Sequence, residues 1–171
     1  MGSDPRVKNM RSKGTDLIPQ MDPKLYSLLF TKWRGVKIHN SYRKPLINYK
    51  GKPLYAELAV LRLMEKKGWK GVWVDNWGSG KFLIGMPDQS EPVELLGYPK
   101  KIFDKIVQRN KARRSGCWDL FLWKGKLIRC MELKRLGSSD RVRPNQKHWY
   151  QSAIAVGLRP DQFTLVEWDF E

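Results

Sequence analysis

The chain has 171 residues, 41% of them apolar and 29% charged, a length and balance that suit one compact domain with a real core and exclude a disordered polymer. Its 33 Lys and Arg against 17 Asp and Glu leave a formal charge of +16, and self-repulsion of that size points to a polyanionic partner, nucleic acid first, rather than to a protein-interaction module. No stretch approaches the roughly 18 apolar residues of a membrane-spanning helix, the first residues lack the apolar core of a secretion signal, and neither end carries a basic amphipathic helix.

The expectation is an intracellular protein, cytoplasmic or wherever its DNA lies, that is not secreted and has no membrane partner. The two cysteines, Cys117 and Cys130, build no disulfide framework, and without a Cys-x-x-Cys pair to join His39 and His148 they read as small core thiols rather than zinc ligands. Met1-Gly2-Ser3-Asp4-Pro5 reads either as an expression remnant, with Met10 as the natural start, or as native sequence.

The first fifty residues are rich in Lys, Arg, Pro and Gly and show no long periodic pattern, so residues 1–52 are expected to form a basic amino-terminal arm. Within it, Leu25, Leu28, Leu29 and Phe30 predict a short helix over Pro23 to Trp33 that docks the arm on the core. Trp33, Tyr42 and Tyr49 are candidates to stack on unpaired bases. From 53 to 171 a second unit is expected, with a basic insert at 86–114. Leu54, Leu58, Leu61 and Met64 recur at helical spacing over Pro53 to Lys67, and Gly68 stops the run.

Trp69 to Trp77 alternates as a strand, Asn76-Trp77-Gly78-Ser79-Gly80 turns, and Lys81 to Gly85 returns as its partner. Gly78-Ser79-Gly80-Lys81 is only a turn, because a phosphate-binding loop requires a longer glycine spacing and a Ser or Thr after the Lys. After a Pro-containing loop, Pro99 to Arg114 predicts a helix with Ile102, Phe103, Ile106 and Val107 on one side. Its basic side carries Lys100, Lys101, Lys105, Arg109, Lys111, Arg113 and Arg114, the candidate nucleic-acid-binding residues. Cys117 to Trp123 and Lys126 to Lys134 predict a hairpin turning at Lys124-Gly125, followed by a polar loop over Gly137 to Arg143. A helix opened by Pro144 and closed by Gly157 leads to a last strand, Phe163 to Trp168.

Side chains alternate along a strand, so Glu132 and Lys134 share a face while Leu133 points away. Twelve residues separate Asp119 from Glu132, and the hairpin brings those two ends together. Two carboxylates with the Leu133 carbonyl and waters form a hard-oxygen set suited to Mg²⁺ or Mn²⁺. Lys134, beside the ion without ligating it, would orient the attacking water or offset the charge that develops in phosphodiester hydrolysis. Asp is depleted in strands, and a charged pair in a strand flanked by Ile128, Cys130, Met131 and Leu133 calls for a reason beyond solvation.

Trp118-Asp119 followed by Glu132-Leu133-Lys134 resembles the motif of the PD-(D/E)XK nuclease superfamily. The likeness is greatest to its VRR-NUC branch, in which a Gly-x-Pro-Asp strand precedes a Glu-x-Lys strand and a helix beginning near a Gln. Residues Gly116 to Leu158 carry the pattern, with Trp118 standing where the family has Pro. The resemblance implies catalytic roles for Asp119, Glu132, Lys134 and Gln146, and a metal site of Glu57, Asp119, Glu132 and Leu133. The plainer alternative for Glu57 is a first-turn acid favoured by the helix dipole, and for Gln146 an ordinary early-helix polar residue.

The implied fold is α/β, a restriction-endonuclease-like sandwich with a central mixed sheet flanked by helices, plus the basic arm and insert. The implied function is that of an Mg²⁺- or Mn²⁺-dependent endonuclease on DNA, structured or branched DNA included. The rival reading is a non-catalytic nucleic-acid binder on a nuclease-like fold, which has no use for two converging carboxylates that repel phosphate. RNA as substrate and a homodimer as the assembly stay open.

Overall fold

A computed structural model describes residues 7–8, 23–76 and 80–171. The rest of the expected arm, including Met10, and the turn residues Trp77, Gly78 and Ser79 lie outside the described residues. The chain folds as a mixed α/β protein around a seven-stranded sheet in the order β1-β2-β9-β8-β7-β5-β6, beside a two-stranded sheet of β3 and β4. The strands are β1 (Val7–Lys8), β2 (Lys24–Phe30), β3 (Ile47–Tyr49), β4 (Lys52–Leu54), β5 (Lys70–Val74), β6 (Phe82–Leu83), β7 (Leu120–Lys124), β8 (Leu127–Arg135) and β9 (Phe163–Phe170). Among the described residues three α-helices, α1 (Ala56–Lys66), α2 (Gly97–Arg109) and α3 (Pro144–Ala155), cover the faces of the large sheet.

The centre is the β7–β8 hairpin. Lys124 pairs with Leu127, so the loop is Gly125-Lys126, one residue later than the sequence suggested. Gly125 alone of the two has a positive φ, 58°, as a two-residue turn with Gly first requires. β8 and β9 run parallel, a pairing that needs a crossover, and α3 supplies it. Alternation then sorts the strand residues. Val72, Phe121, Ile128, Cys130 and Phe163 meet Phe103 and Ile106 of α2 and Trp149 and Ala153 of α3 on one face. Trp73, Leu120, Leu122, Met131 and Leu133 meet Leu58, Leu61 and Met64 of α1 on the other.

The short helix expected over Pro23 to Trp33 is a strand. Leu25, Leu28, Leu29 and Phe30 fit a helical stripe, but β2 pairs in parallel with β9 over its whole length, and alternation sends Leu28 and Phe30 to one core while Leu25 packs on the other. That non-local pairing overrides a local pattern too short to choose between periods. α1 begins three residues later than expected because Lys52–Leu54 pairs with Ile47–Tyr49 as a hairpin. Among the described residues no helix is long and apolar enough to cross a membrane.

Candidate active site

Asp119 is the residue before β7, and the register that pairs Leu120 with Met131 sets it opposite Glu132. Its carbonyl accepts from the Val74 amide at 2.8 Å, which ties this end of β7 to β5. Its carboxylate Oδ2 accepts from the Leu133 amide at 2.9 Å, and its own amide donates to Glu132 Oε2 at 3.2 Å. Asp119 thus satisfies with its side chain a β8 amide that lies beyond the paired length of β7.

Glu132, 2% exposed, is held from two further directions. Lys134 Nζ lies 2.6 Å from Oε1 and also reaches Asp140 Oδ1 at 3.1 Å. Gln146, in the first turn of α3, donates through Nε2 to the same Oε1 at 2.5 Å, while its own Oε1 accepts from the Arg143 amide at 3.0 Å. The amide side chain is fixed at both ends, so the start of α3 and the middle of β8 are one unit. Glu57, the second residue of α1, is buried at 6% exposure and paired with Lys44. It acts electrostatically on Asp119, so Glu57, Asp119 and Glu132 share one acidic centre.

Burial first, then the charges of Glu132 and Glu57, hold the Asp119 carboxyl well above its ordinary range, against the opposing pull of Lys44 and the Leu133 amide. Burial also raises Glu132, opposed by Lys134, Gln146 and the Asp119 amide. The same burial works against the Lys134 ammonium, but Glu132, Asp119 and Asp140 outweigh it and its titration moves up. The centre therefore favours a charged lysine and disfavours charged carboxylates.

Among the described residues no group of three or more His, Cys, Asp or Glu side chains is arranged to hold a metal ion. The chemistry of the donors nevertheless fits a hard cation. The donors at hand are carboxylates with no sulfur or imidazole beside them: Asp119 meets Glu132, Glu57 acts on Asp119 electrostatically, and ammonium groups pair with two of the three, Lys44 with Glu57 and Lys134 with Glu132. Burial disfavours the charged form of these carboxylates, and a cation beside them would restore it, so the donor set is compatible with a hard ion. Cys117 and Cys130 are buried, with thiols pushed up by burial, which leaves them protonated and unsuited to zinc.

The basic residues of the 100–114 segment are exposed, along α2 and the turn after it. Lys100 pairs with Asp104 on the next turn. Arg114 is engaged differently: its guanidinium lies 4.9 Å from the Phe82 ring centroid and 5.5 Å from that of Phe103, and Nη1 donates to the Gly80 carbonyl. It borders a cleft of about 420 Å³ that Ser115, Arg143 and Asn145 also line. Gly116, with φ of 83°, closes the wall of that cleft against the Asn145 carbonyl, where a Cβ has no room.

Of the three aromatics expected as base-stacking candidates, Tyr42 packs half-buried against the core. It donates to Asp75 Oδ2 at 2.5 Å and stacks on Tyr55, and burial with the Asp75 contact pushes its phenol up to about 12. The Trp33 indole donates to its own loop at the Val36 carbonyl, and Tyr49 lies under Lys66. Sequence reasoning missed Lys44 and Asp140. Lys44 sits thirteen residues before Glu57 in a stretch without periodicity, so no spacing rule connects it to the centre. Asp140 offers only the common signal of an acid in a polar loop.

The family model of the VRR-NUC domain matches residues 74–159, from the last residue of β5 to just past the end of α3. Neither the curated proteins nor the solved structures gave a match. The matched span is just over half of the chain and contains Asp119, Glu132, Lys134 and Gln146, while Lys44 and Glu57 lie outside it. With the carboxylates, lysine and glutamine of the motif gathered on facing strand ends and the first turn of α3, the chain belongs to the VRR-NUC domain family, a family of PD-(D/E)XK-like nucleases.

Proposed function

We propose that the protein is a divalent-metal-dependent endonuclease that hydrolyses phosphodiester bonds in DNA, structured or branched DNA included. The observation that carries this reading is the buried Asp119–Glu132–Lys134 cluster, in which Gln146 and Lys134 converge on one oxygen of Glu132. A binder of nucleic acid gains nothing from carboxylates placed where they repel phosphate.

In this reading Asp119 and Glu132, with Glu57 and the Leu133 carbonyl, hold Mg²⁺ or Mn²⁺, and the bound ion supplies Lewis acidity toward the phosphate and its attacking water. The chain's own residues do the rest. Lys134 orients the water and offsets negative charge on the phosphoryl oxygens as the new P–O bond forms and the bond to the departing sugar oxygen breaks. Gln146 fixes the Glu132 carboxylate and presents an amide to water or phosphate. Lys100, Lys101, Lys105, Arg109, Lys111, Arg113 and Arg114 give the DNA backbone an electrostatic landing surface that reads no sequence.

The test is incubation with plasmid, linear, single-stranded and four-way-junction DNA and with RNA, in Mg²⁺, Mn²⁺ or EDTA. Cleavage of at least one DNA form with metal and none in EDTA is expected. Binding of DNA without cleavage of any substrate would replace the enzyme with a non-catalytic binder.

A further inference from the structure

The acidic centre has a second lysine, and the family match does not reach it. Lys44 donates to Glu57 Oε1, and its ammonium lies 5.1 Å from the Trp73 ring centroid and 5.7 Å from that of Tyr55. Asp119 acts on it across the centre as well. Only 31% of the Lys44 side chain is exposed and 8% of that of Glu57. A cation enclosed by a buried carboxylate and two aromatic faces is fixed in place, unlike a surface lysine turning in water.

Lys134 and Lys44 thus serve different carboxylates of the centre, one Glu132 and the other Glu57. Their roles differ because their partners do. Lys134 keeps Asp140 as a second partner, so it retains a neighbour when Glu132 turns to an ion. Lys44 is held by its ion pair with Glu57 and by the two rings beneath it.

We infer that Lys44 is the resident counter-cation of the acidic centre: it holds Glu57 in place in the metal-free protein and yields that carboxylate when a divalent ion enters, thereby setting the affinity for metal. This role rests on the metal-dependent reading of the site. Its physical basis is competition. An ammonium and a divalent cation are both drawn to Glu57 and Asp119 and repel each other, and whichever binds first weakens the other by the same factor. Without either, Glu57 is a buried carboxylate with no compensating charge, which is strongly disfavoured. Lys44 therefore serves the fold in the absence of metal and opposes the metal when it arrives.

The test is calorimetric titration of the full chain with Mn²⁺ and with Mg²⁺, without nucleic acid, together with thermal melts in EDTA. Lys44→Met is expected to melt below the parent in EDTA yet bind Mn²⁺ roughly tenfold or more tightly, the usual size of coupling between neighbouring sites. Lys44→Gln, which keeps a donor for Glu57 and removes the charge, is expected to show the same tightening and guards against a Met variant that does not fold. Lys44→Arg keeps the charge and is expected to stay near the parent. If the parent binds Mn²⁺ and neither neutral variant binds it more tightly, the counter-cation role is overturned while the metal-dependent reading stands. If the parent takes up neither ion, both fall together.

Discussion

Lys134→Ala separates the contribution of this lysine to the fold from its contribution to chemistry. The side chain is 13% exposed and its partner Glu132 3%, so the substitution leaves a buried carboxylate held by Gln146 and the Asp119 amide without its ammonium. Breaking a buried pair on one side costs about 3–5 kcal/mol. At roughly 2–4 °C per kcal/mol for a chain of this size, the melting temperature in EDTA should fall by about 6–20 °C. Neutralising both partners, Lys134→Met with Glu132→Gln, should recover much of that loss, since the penalty belongs to the unpaired charge and the two sites are in contact.

Added Mg²⁺ should raise the melting temperature of Lys134→Ala more than that of the parent, because the ion replaces the missing charge. Cleavage should fall by about a hundredfold or more even at saturating metal. Circular-dichroism melts in EDTA and in Mg²⁺, with cleavage measured on the same preparations, supply the readouts. A Lys134→Ala variant that melts with the parent in EDTA, or a double variant no more stable than the sum of the singles, would refute the buried-pair reasoning.

Asp119→Asn should abolish cleavage yet stabilise the metal-free fold near neutral pH, measured by melts in EDTA. The sign follows from Asp119's raised titration: the folded state holds the proton more tightly than the unfolded one, so this group's stability contribution is complete below the ordinary carboxylate range and is lost as pH rises through the folded value. Asp119→Asn should flatten that part of the profile, and metal affinity of the parent should grow over the same rise in pH as the ion displaces the proton. Gln146→Ala should lower the cleavage rate at saturating Mg²⁺ with little change in metal affinity, read by calorimetry. Gly116→Ala meets both a positive φ and the Asn145 carbonyl, so it should displace the first turn of α3, cost more than about 1 kcal/mol in melts and reduce cleavage through Gln146. Replacing Lys101, Lys105, Arg109 and Arg113 with Ala should lessen the salt dependence of DNA binding, measured by fluorescence anisotropy, with the log–log slope falling by up to about 0.9 for each phosphate no longer neutralised.

The centre was legible where chemistry and local geometry coincide. Glu132 and Lys134 fall on one face by strand alternation alone, and a short hairpin leaves Asp119 little choice but to meet them. Gln146 was singled out by the family resemblance, with Pro144 marking the start of its helix. Glu57 could be placed on the inward face of α1, though nothing local says which strand end that face meets. Lys44 was invisible: its contact with Glu57 depends on how the segment before β3 folds over α1, a tertiary matter.

The same limit explains β2. Its leucines satisfy two periods at once, and the choice is made by β9, far away in sequence, where parallel pairing satisfies a row of backbone groups that a short helix would leave without the sheet. The apolar side of α2 was read correctly from Ile102, Phe103 and Ile106, all buried. Arg114's place against Phe82 and Phe103 follows only from the assembled sheet.

Whether the acidic cluster cuts DNA is decided most sharply by single-turnover cleavage of four-way-junction and linear DNA in Mg²⁺ by the parent and by Glu132→Gln, each shown by circular dichroism to be folded. Glu132→Gln keeps the shape and a partner for Gln146 and removes one charged oxygen ligand at the heart of the cluster. Cleavage of at least one of these DNAs by the parent, none by the variant, and retained DNA binding by both are expected. Equal cleavage by parent and variant would contradict an active site built on Asp119, Glu132 and Lys134.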